Sequence, residues 1–353
     1  MHHTLGAATA LPLSSRQWLD DHAPSLERST RHASALLPLL ARAGLLHAEG
    51  DLDAAVDAVA EVASASLAAG VVLCAQRGFA EALRLSHNVA LCEHLRPEVQ
   101  DGRLAGALAL SGVFGHLAQG TPLPVSGVET PRGWKLSGRL PWVANLQHDG
   151  HVVAVPVAFE GLQDFAMVVL GSEESGLARG PEAGAGPRGI RAAALQLDRV
   201  HFREDELLHV NGASLVRQLL PTLLALQCGL ALGVAQAALS AADNHPAGGM
   251  AARRAGAQRL QAALGENRAA LGDGLRSGRF IDDAAALLKL RLRFTELAQA
   301  AVQAEQQAVG AEAVLAGEDG GCARRAGEAR FLSLLSPDAG ELASQPAPAR
   351  RAA

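Results

Sequence analysis

The chain has 353 residues, which at roughly 150 residues per domain gives two or three structural units. Hydrophobic residues make up 49% and charged ones 19%, a globular balance that excludes an intrinsically disordered chain. With 31 Lys and Arg against 36 Asp and Glu, and 3% aromatics with no Tyr, it lacks both the cation excess and the stacking platforms of a nucleic-acid binder.

Up to about residue 100 the chain is rich in Ala and Leu, with apolar positions three and four apart. Between Asp51 and Val62, for example, Leu52, Val56, Val59 and Val62 fall on one helical face. Asp51 or Asp53 is placed to cap that helix, and Gly50 ends the segment before it. Residues 1–104 therefore read as a helical domain. From about Ala107 to Val210 the pattern changes to short apolar runs divided by Gly and Pro. Strands are predicted over 134–138, 152–157, 165–170 and 194–202, with turns at 131–133 and 184–189. No helical pattern is interleaved, so residues 105–211 are expected to form an antiparallel β-barrel or sandwich. Helix then returns over 216–242, 252–275, from Asp282 or Asp283 to Val309, and near 324–334. A turn-like 245–249 separates the first two. Three long helices and a short one suggest a four-helix bundle over 212–336, followed by a disordered tail over 337–353. The fold class is α+β, in the order helical, β, helical.

Several local signals lead away from common chemistries. Cys74, Cys92, Cys228 and Cys322 are far apart and form no C-x-x-C pair, so they read as buried thiols of a reduced, cytoplasmic protein. The N-terminal residues lack a basic stretch followed by an apolar core. The uncharged run 218–242 is long enough to span a bilayer, but Pro221, Thr222, Gln227, Gln236 and Ser240 interrupt it and mark a buried bundle helix instead. Gly184-x-Gly186-x-x-Gly189 has the letters of a dinucleotide motif, yet Pro187 lies inside it and a strand follows where a helix is required, so it reads as a β–β connection. His148-x-x-His151 reads as a solvated turn rather than a metal site.

The stretch Gly133-Trp134-Lys135-Leu136-Ser137-Gly138-Arg139-Leu140-Pro141-Trp142-Val143-Ala144-Asn145 resembles the middle-domain signature of the acyl-CoA dehydrogenase family. The resemblance continues in residues 197–208, which match the end of that domain, and in the small-residue run 228–235 of the first bundle helix. Lys289 and Gln307-Ala308-Val309-Gly310-Ala311 resemble the third bundle helix and its end. The helical, β, helical order is also that of the family. The resemblance implies a flavin, FAD with FMN as the other choice, bound between the β-domain and the bundle. Carried over by position, Trp142 lies against the isoalloxazine and Ser111 near its pyrimidine edge, while Gln307 and Gly310 meet the dinucleotide end from a neighbouring subunit. The implied partners are a small-molecule substrate such as an acyl-CoA, an electron-transfer flavoprotein or flavin reductase, and further copies of the chain in a homo-oligomer.

Departures from the family pattern bear on chemistry. Ala144 stands where a hydroxyl residue donates to flavin N5, leaving backbone groups or Asn145 as substitutes. Leu335-Ser336-Pro337 stands where a catalytic Glu is usual, and Pro221-Thr222-Leu223-Leu224-Ala225 at the alternative place for it. A leucine cannot abstract the α-proton that thioester dehydrogenation requires. The sequence leaves three readings open: an FAD-linked oxidoreductase with altered dehydrogenase chemistry, a reduced-flavin-dependent monooxygenase on the same fold, and a catalytically inactive paralogue.

Overall fold

The computed structural model describes residues 11–47, 50–147, 150–161, 164–184, 186–244, 251–311 and 321–335. The predicted tail 337–353, the turn 245–249 and His148 lie outside the described residues. The N-terminal part holds α1 (Leu13–Arg28), α2 (Leu36–Arg42), α3 (Leu52–Ala65), α4 (Leu67–Leu85) and α5 (Val89–Gln100). Local chemistry sets their ends. Of the two candidate caps, Asp51 begins α3 by accepting a hydrogen bond from the Asp53 N–H, while Ser66 and Asn88 cap α4 and α5. Val56, Val59 and Val62 are buried on the predicted face of α3.

The β-layer contains β1 (Ala105–Leu108), β2 (Val125–Thr130), β3 (Gly133–Val143), β4 (His151–Phe159), β5 (Ala166–Gly171), β6 (Leu177–Glu182), β7 (Ala193–Phe202) and β8 (Leu207–His209). Its strand order is β6-β7-β3-β2-β4-β5-β8, with β1 also on β4. The antiparallel expectation needs correction: β1 and β2 both run parallel to β4, so the sheet is mixed. A short helix, α6 (Val113–Gln119), supplies part of the crossover from β1 to β2 that this requires; its lack of a long periodic pattern hid it from the sequence. The unbroken apolar run of β4 has a clear cause. Val152 and Ala154 face the helical core, while Val153, Val155 and Val157 face the interior of the β-layer, so both sides of the strand are buried. His151 begins β4 and is buried, with Nδ1 paired to the Gln147 carbonyl, so it is not the solvated residue expected. The 184–189 segment joins β6 to β7, as predicted.

The C-terminal helices are α7 (Gly212–Asn244), α8 (Ala251–Arg276), α9 (Arg279–Asp282), α10 (Ala284–Val309) and α11 (Cys322–Leu332). Asp283 caps α10 through the Ala286 N–H. Helix α7 begins earlier than the sequence suggests and continues through Pro221, so the proline removes one hydrogen bond without ending the helix. Long and apolar enough to cross a membrane by composition, α7 is mostly buried here as the central core helix, packed on α3, α4, α10 and α11. Gly229 and Gly233 let α3 come close: a Cβ at 229 would stand 2.6 Å from the Val56 carbonyl oxygen.

Candidate functional site

Where the β-layer meets α4 and α7, a cleft open on one side encloses about 120 Å3. Helix α4 contributes Val71, Cys74 and Ala75, one stripe at three- and four-residue spacing. Helix α7 contributes Leu223, Leu226, Gln227 and Leu230. The opposite wall comes from Leu108 at the end of β1, Leu110 and Ser111 just beyond it, and Trp142 and Ala144 at the end of β3. Leu335, beyond α11, completes the lining.

Polar side chains in the wall are engaged. The Ser111 hydroxyl donates to the Trp142 carbonyl at 3.2 Å, tying the two segments of the β wall together. The Cys74 thiol donates to the Leu226 carbonyl at 3.7 Å, and burial pushes its pKa well above the usual thiol range, so it is no thiolate nucleophile. Gln227 Oε1 accepts from Arg291 Nε at 3.1 Å. Arg291 is buried behind the wall and also donates to the carbonyls of Leu332 and Leu335, at 3.2 and 2.8 Å. One guanidinium thereby fixes the α7 wall and the segment after α11. Trp142 is half-buried, its ring centroid 6.3 Å from that of Phe331 on α11 with the planes tilted by 49°.

No protein-family model and no curated protein matches this chain. Solved structures do. A glutaryl-coenzyme A dehydrogenase in complex with glutaryl-CoA superposes with a TM-score of 0.80 at 16% identity, over 97% of this chain and 95% of that one. Dibenzothiophene monooxygenase from Paenibacillus sp. A11-2 gives 0.74 at 16% identity, over 95% of each chain. Nitrososynthase from Micromonospora carbonacea var. africana gives 0.75 at 19%, over 95% and 94%. The chain has the acyl-CoA dehydrogenase-like fold. At these identities the likeness establishes architecture, and the site must be read from its own residues.

On this acyl-CoA dehydrogenase-like fold, the six residues singled out from sequence fall into three places. Ser111, Trp142 and Ala144 come together in the cleft. Asn145 does not line it, and as a substitute donor it must be corrected. Held at φ 63°, it turns its amide into the interior, donating to Gln76 Oε1 at 2.9 Å and the Gly106 carbonyl at 3.0 Å. Both amide hydrogens are thus occupied. Gln307 lines a separate cavity of about 500 Å3 with Asp243, Arg254, Arg259 and Gln303, and Gly310 ends α10 nearby.

The α4 and α7 residues of the lining were not singled out from sequence. Their stripes look like any buried helix face, and only the tertiary gap between them and the β-layer marks them. Leu223 and Leu335 carry a different message. They come from the two places where the family pattern has its catalytic carboxylate, and both leucines line the cleft. No Asp, Glu or His among the described residues joins them there.

An isoalloxazine can be tested against this geometry. Trp142 offers a half-exposed aromatic face, and no backbone hydrogen bond among the described residues uses the N–H of Ser111 or Ala144. These features suit a planar ring with acceptors on its edge. The enclosed 120 Å3 is below the ~300 Å3 of an ordinary ligand pocket, so a three-ring system fits against the Trp142 wall only with much of it in the open mouth.

Proposed function

We propose that this chain is a flavin-dependent oxidoreductase on the acyl-CoA dehydrogenase-like fold, acting on a small substrate such as an acyl-CoA. The observation that carries the reading is the apolar cleft walled by Trp142, Ser111 and Ala144 on one side and by helices on the other. A flavin bound there supplies two-electron redox chemistry. Trp142 shields one face from water, and the Ser111 and Ala144 N–H groups are available to acceptors on the ring edge. Leu223, Leu226 and Leu230 keep the opposite side dry. No described side chain in the wall can take up a substrate proton, so base-dependent α-proton removal is unsupported. FAD is the preferred flavin over FMN, on the resemblance of Gln307 and Gly310 to the dinucleotide contacts of the family, which also places their role in a homo-oligomer. Electrons pass to or from an electron-transfer flavoprotein or a flavin reductase.

The carboxylate-free lining favours a second reading, a reduced-flavin-dependent monooxygenase, since such a site requires a dry pocket rather than a base. One experiment tests both. The absorbance spectrum and extracted cofactor of the isolated protein are recorded, acyl-CoA is added without oxygen, and reduced FAD or FMN is then added with oxygen. Bound FAD bleached by acyl-CoA supports the dehydrogenase. A colourless protein that binds reduced flavin and speeds oxygen uptake supports the monooxygenase. Failure to bind flavin in either redox state overturns the proposal and leaves an inactive paralogue.

A further inference from the structure

Away from the cleft, three half-exposed rings gather on one patch of the N-terminal part. Trp18 and His22, four residues apart on α1, stack with centroids 4.3 Å apart and planes 12° from parallel. His32, in the turn between α1 and α2, stands 4.5 Å from His22 and 6.3 Å from Trp18, nearly perpendicular to both. These separations make a triangle with a near right angle at His22, so His32 lies beside the rim of that ring rather than over its face. One side of the rim is closed: Cγ carries the side chain, and Nδ1 is 2.8 Å from the Trp18 carbonyl. A carbonyl only accepts, so Nδ1 holds the proton of the neutral ring and Nε2 presents a bare lone pair. The open rim, Cε1–Nε2–Cδ2, is centred on that nitrogen, and His32 is set against it. Partial burial first, and then His22 and Arg31, hold His32 below the ordinary histidine range, which favours the neutral, ligating form.

We propose that His22 and His32 together bind one divalent transition-metal ion of the zinc or nickel kind, which staples α1 to the turn that follows it. With metal–nitrogen bonds of about 2.0–2.1 Å, two imidazoles on one ion at about 90–109° have centroids about 4.5–5.2 Å apart. The observed 4.5 Å falls in that range. The Trp18 carbonyl fixes the His22 tautomer as carbonyls do behind metal-bound histidines. No third His, Cys, Asp or Glu joins the pair among the described residues, so water or a small ligand fills the remaining positions. His32 stands outside any helix and can make the half-turn about χ2 that chooses which nitrogen it offers. The proposal is independent of the cleft and of any flavin bound there.

The test is a Ni2+ titration of the full chain carrying His2→Gln and His3→Gln, which removes two imidazoles that would compete for the probe. Tryptophan fluorescence is followed, because a paramagnetic ion beside the Trp18–His22 stack quenches Trp18. Saturable quenching at a single equivalent is expected, reversed by excess Zn2+, which is not paramagnetic, and missing from Trp18→Phe. His22→Gln and His32→Gln should each raise the half-saturating Ni2+ concentration at least tenfold. Circular dichroism checks that both variants keep the fold. Zn2+ supplies a second readout: at saturation it should raise the Tm of the parent and of neither variant. No saturable quenching, quenching undiminished in Trp18→Phe, or a half-saturating concentration unchanged by either histidine substitution would overturn the proposal and leave the three rings as packing alone.

Discussion

Replacing Gly233 by alanine tests the packing that sets the position of α7, and with it one wall of the cleft. A Cβ at 233 would lie 2.9 Å from both Ala63 Cβ and the Ser64 nitrogen of α3, with the Ala60 carbonyl oxygen nearer still. Two of these three neighbours are backbone atoms of a helix, which cannot step aside as a flexible side chain does, so α3 and α7 must separate. Overpacking of this kind costs typically 1–3 kcal/mol, and a rigid obstacle places it at the upper end. Alanine returns about 1 kcal/mol through helix propensity. The net loss is about 2 kcal/mol, a fall in Tm of about 3 °C for a chain of this size. Gly265 provides the control: it lies on α8 with nothing within 4 Å of its added Cβ, so the same substitution there should stabilise by about 0.5–1 kcal/mol. Thermal and denaturant unfolding followed by circular dichroism compares the two variants with the parent. If Gly233→Ala proves as stable as Gly265→Ala, the helices do not touch where the structure places them.

Three further outcomes are expected. Burial first, and the neighbouring Glu328 carboxylate second, raise the pKa of Glu27 from 4.5 to about 7. Its contribution to stability is then fully present below pH 4.5 and lost as pH rises to 7; with solvent screening of this half-buried group the loss is about 1–2 kcal/mol. Glu27→Gln should flatten that slope, and denaturant midpoints at pH 5 and 7.5 that shift equally in both proteins would show the carboxyl is not involved. Gln76→Leu should cost about 3 kcal/mol or more, because Gln76 donates to the carbonyls of Val99 and Leu104 and accepts from the Gly106 N–H and the Asn145 amide, all in the interior. A loss below about 1 kcal/mol in the unfolding midpoint would mean water or other groups satisfy those partners. Trp142→Ala should weaken flavin binding by about 1–3 kcal/mol in a fluorescence titration; unchanged affinity would return Trp142 to a packing role beside Phe331.

Much of the architecture is legible where one residue type meets one physical demand. Asp51 and Asp283 begin helices because a short carboxylate satisfies N–H groups that have no intrahelical partner. The alternation of Val152 to Val157 between two cores makes β4 stand out as an apolar run. Less legible were β1, a four-residue run of Ala, Gly and Leu with no alternation, and β2, β6 and β8, which are short and partly polar; the pairing of all four depends on distant partners. The parallel pairing of β1 and β2 with β4 could not be read from local turn chemistry, which reports only on strands adjacent in sequence. At the site, the signature over 133–145 singles out Trp142 and Ala144, Ser111 comes from its separate position just after 107–110, and the structure brings the three side by side in one cleft. The misassignment of Asn145 has a specific cause: sequence shows which groups can donate, while the positive φ decides which way they point.

The carboxylates near the end of the bundle show why burial alone does not make a base. Glu305, fully buried, is held in a two-pronged pair by Arg325 of α11. Glu328, seven residues before Leu335, accepts from the Leu67 N–H at the start of α4 and pairs with Arg324. Burial raises its pKa, while Arg324 and the Leu67 N–H act to lower it, so its acidity is governed by these structural partners. Releasing Glu305 toward a substrate would take the carboxylate away from buried Arg325, a change that costs about 3–5 kcal/mol when one member of such a pair is removed. These two acids therefore dock α11 onto α4 and α10, and so bring Phe331 to Trp142 and Leu335 into the cleft wall. Their part in any chemistry lies in shaping the cleft, with the leucines they help to position keeping it dry.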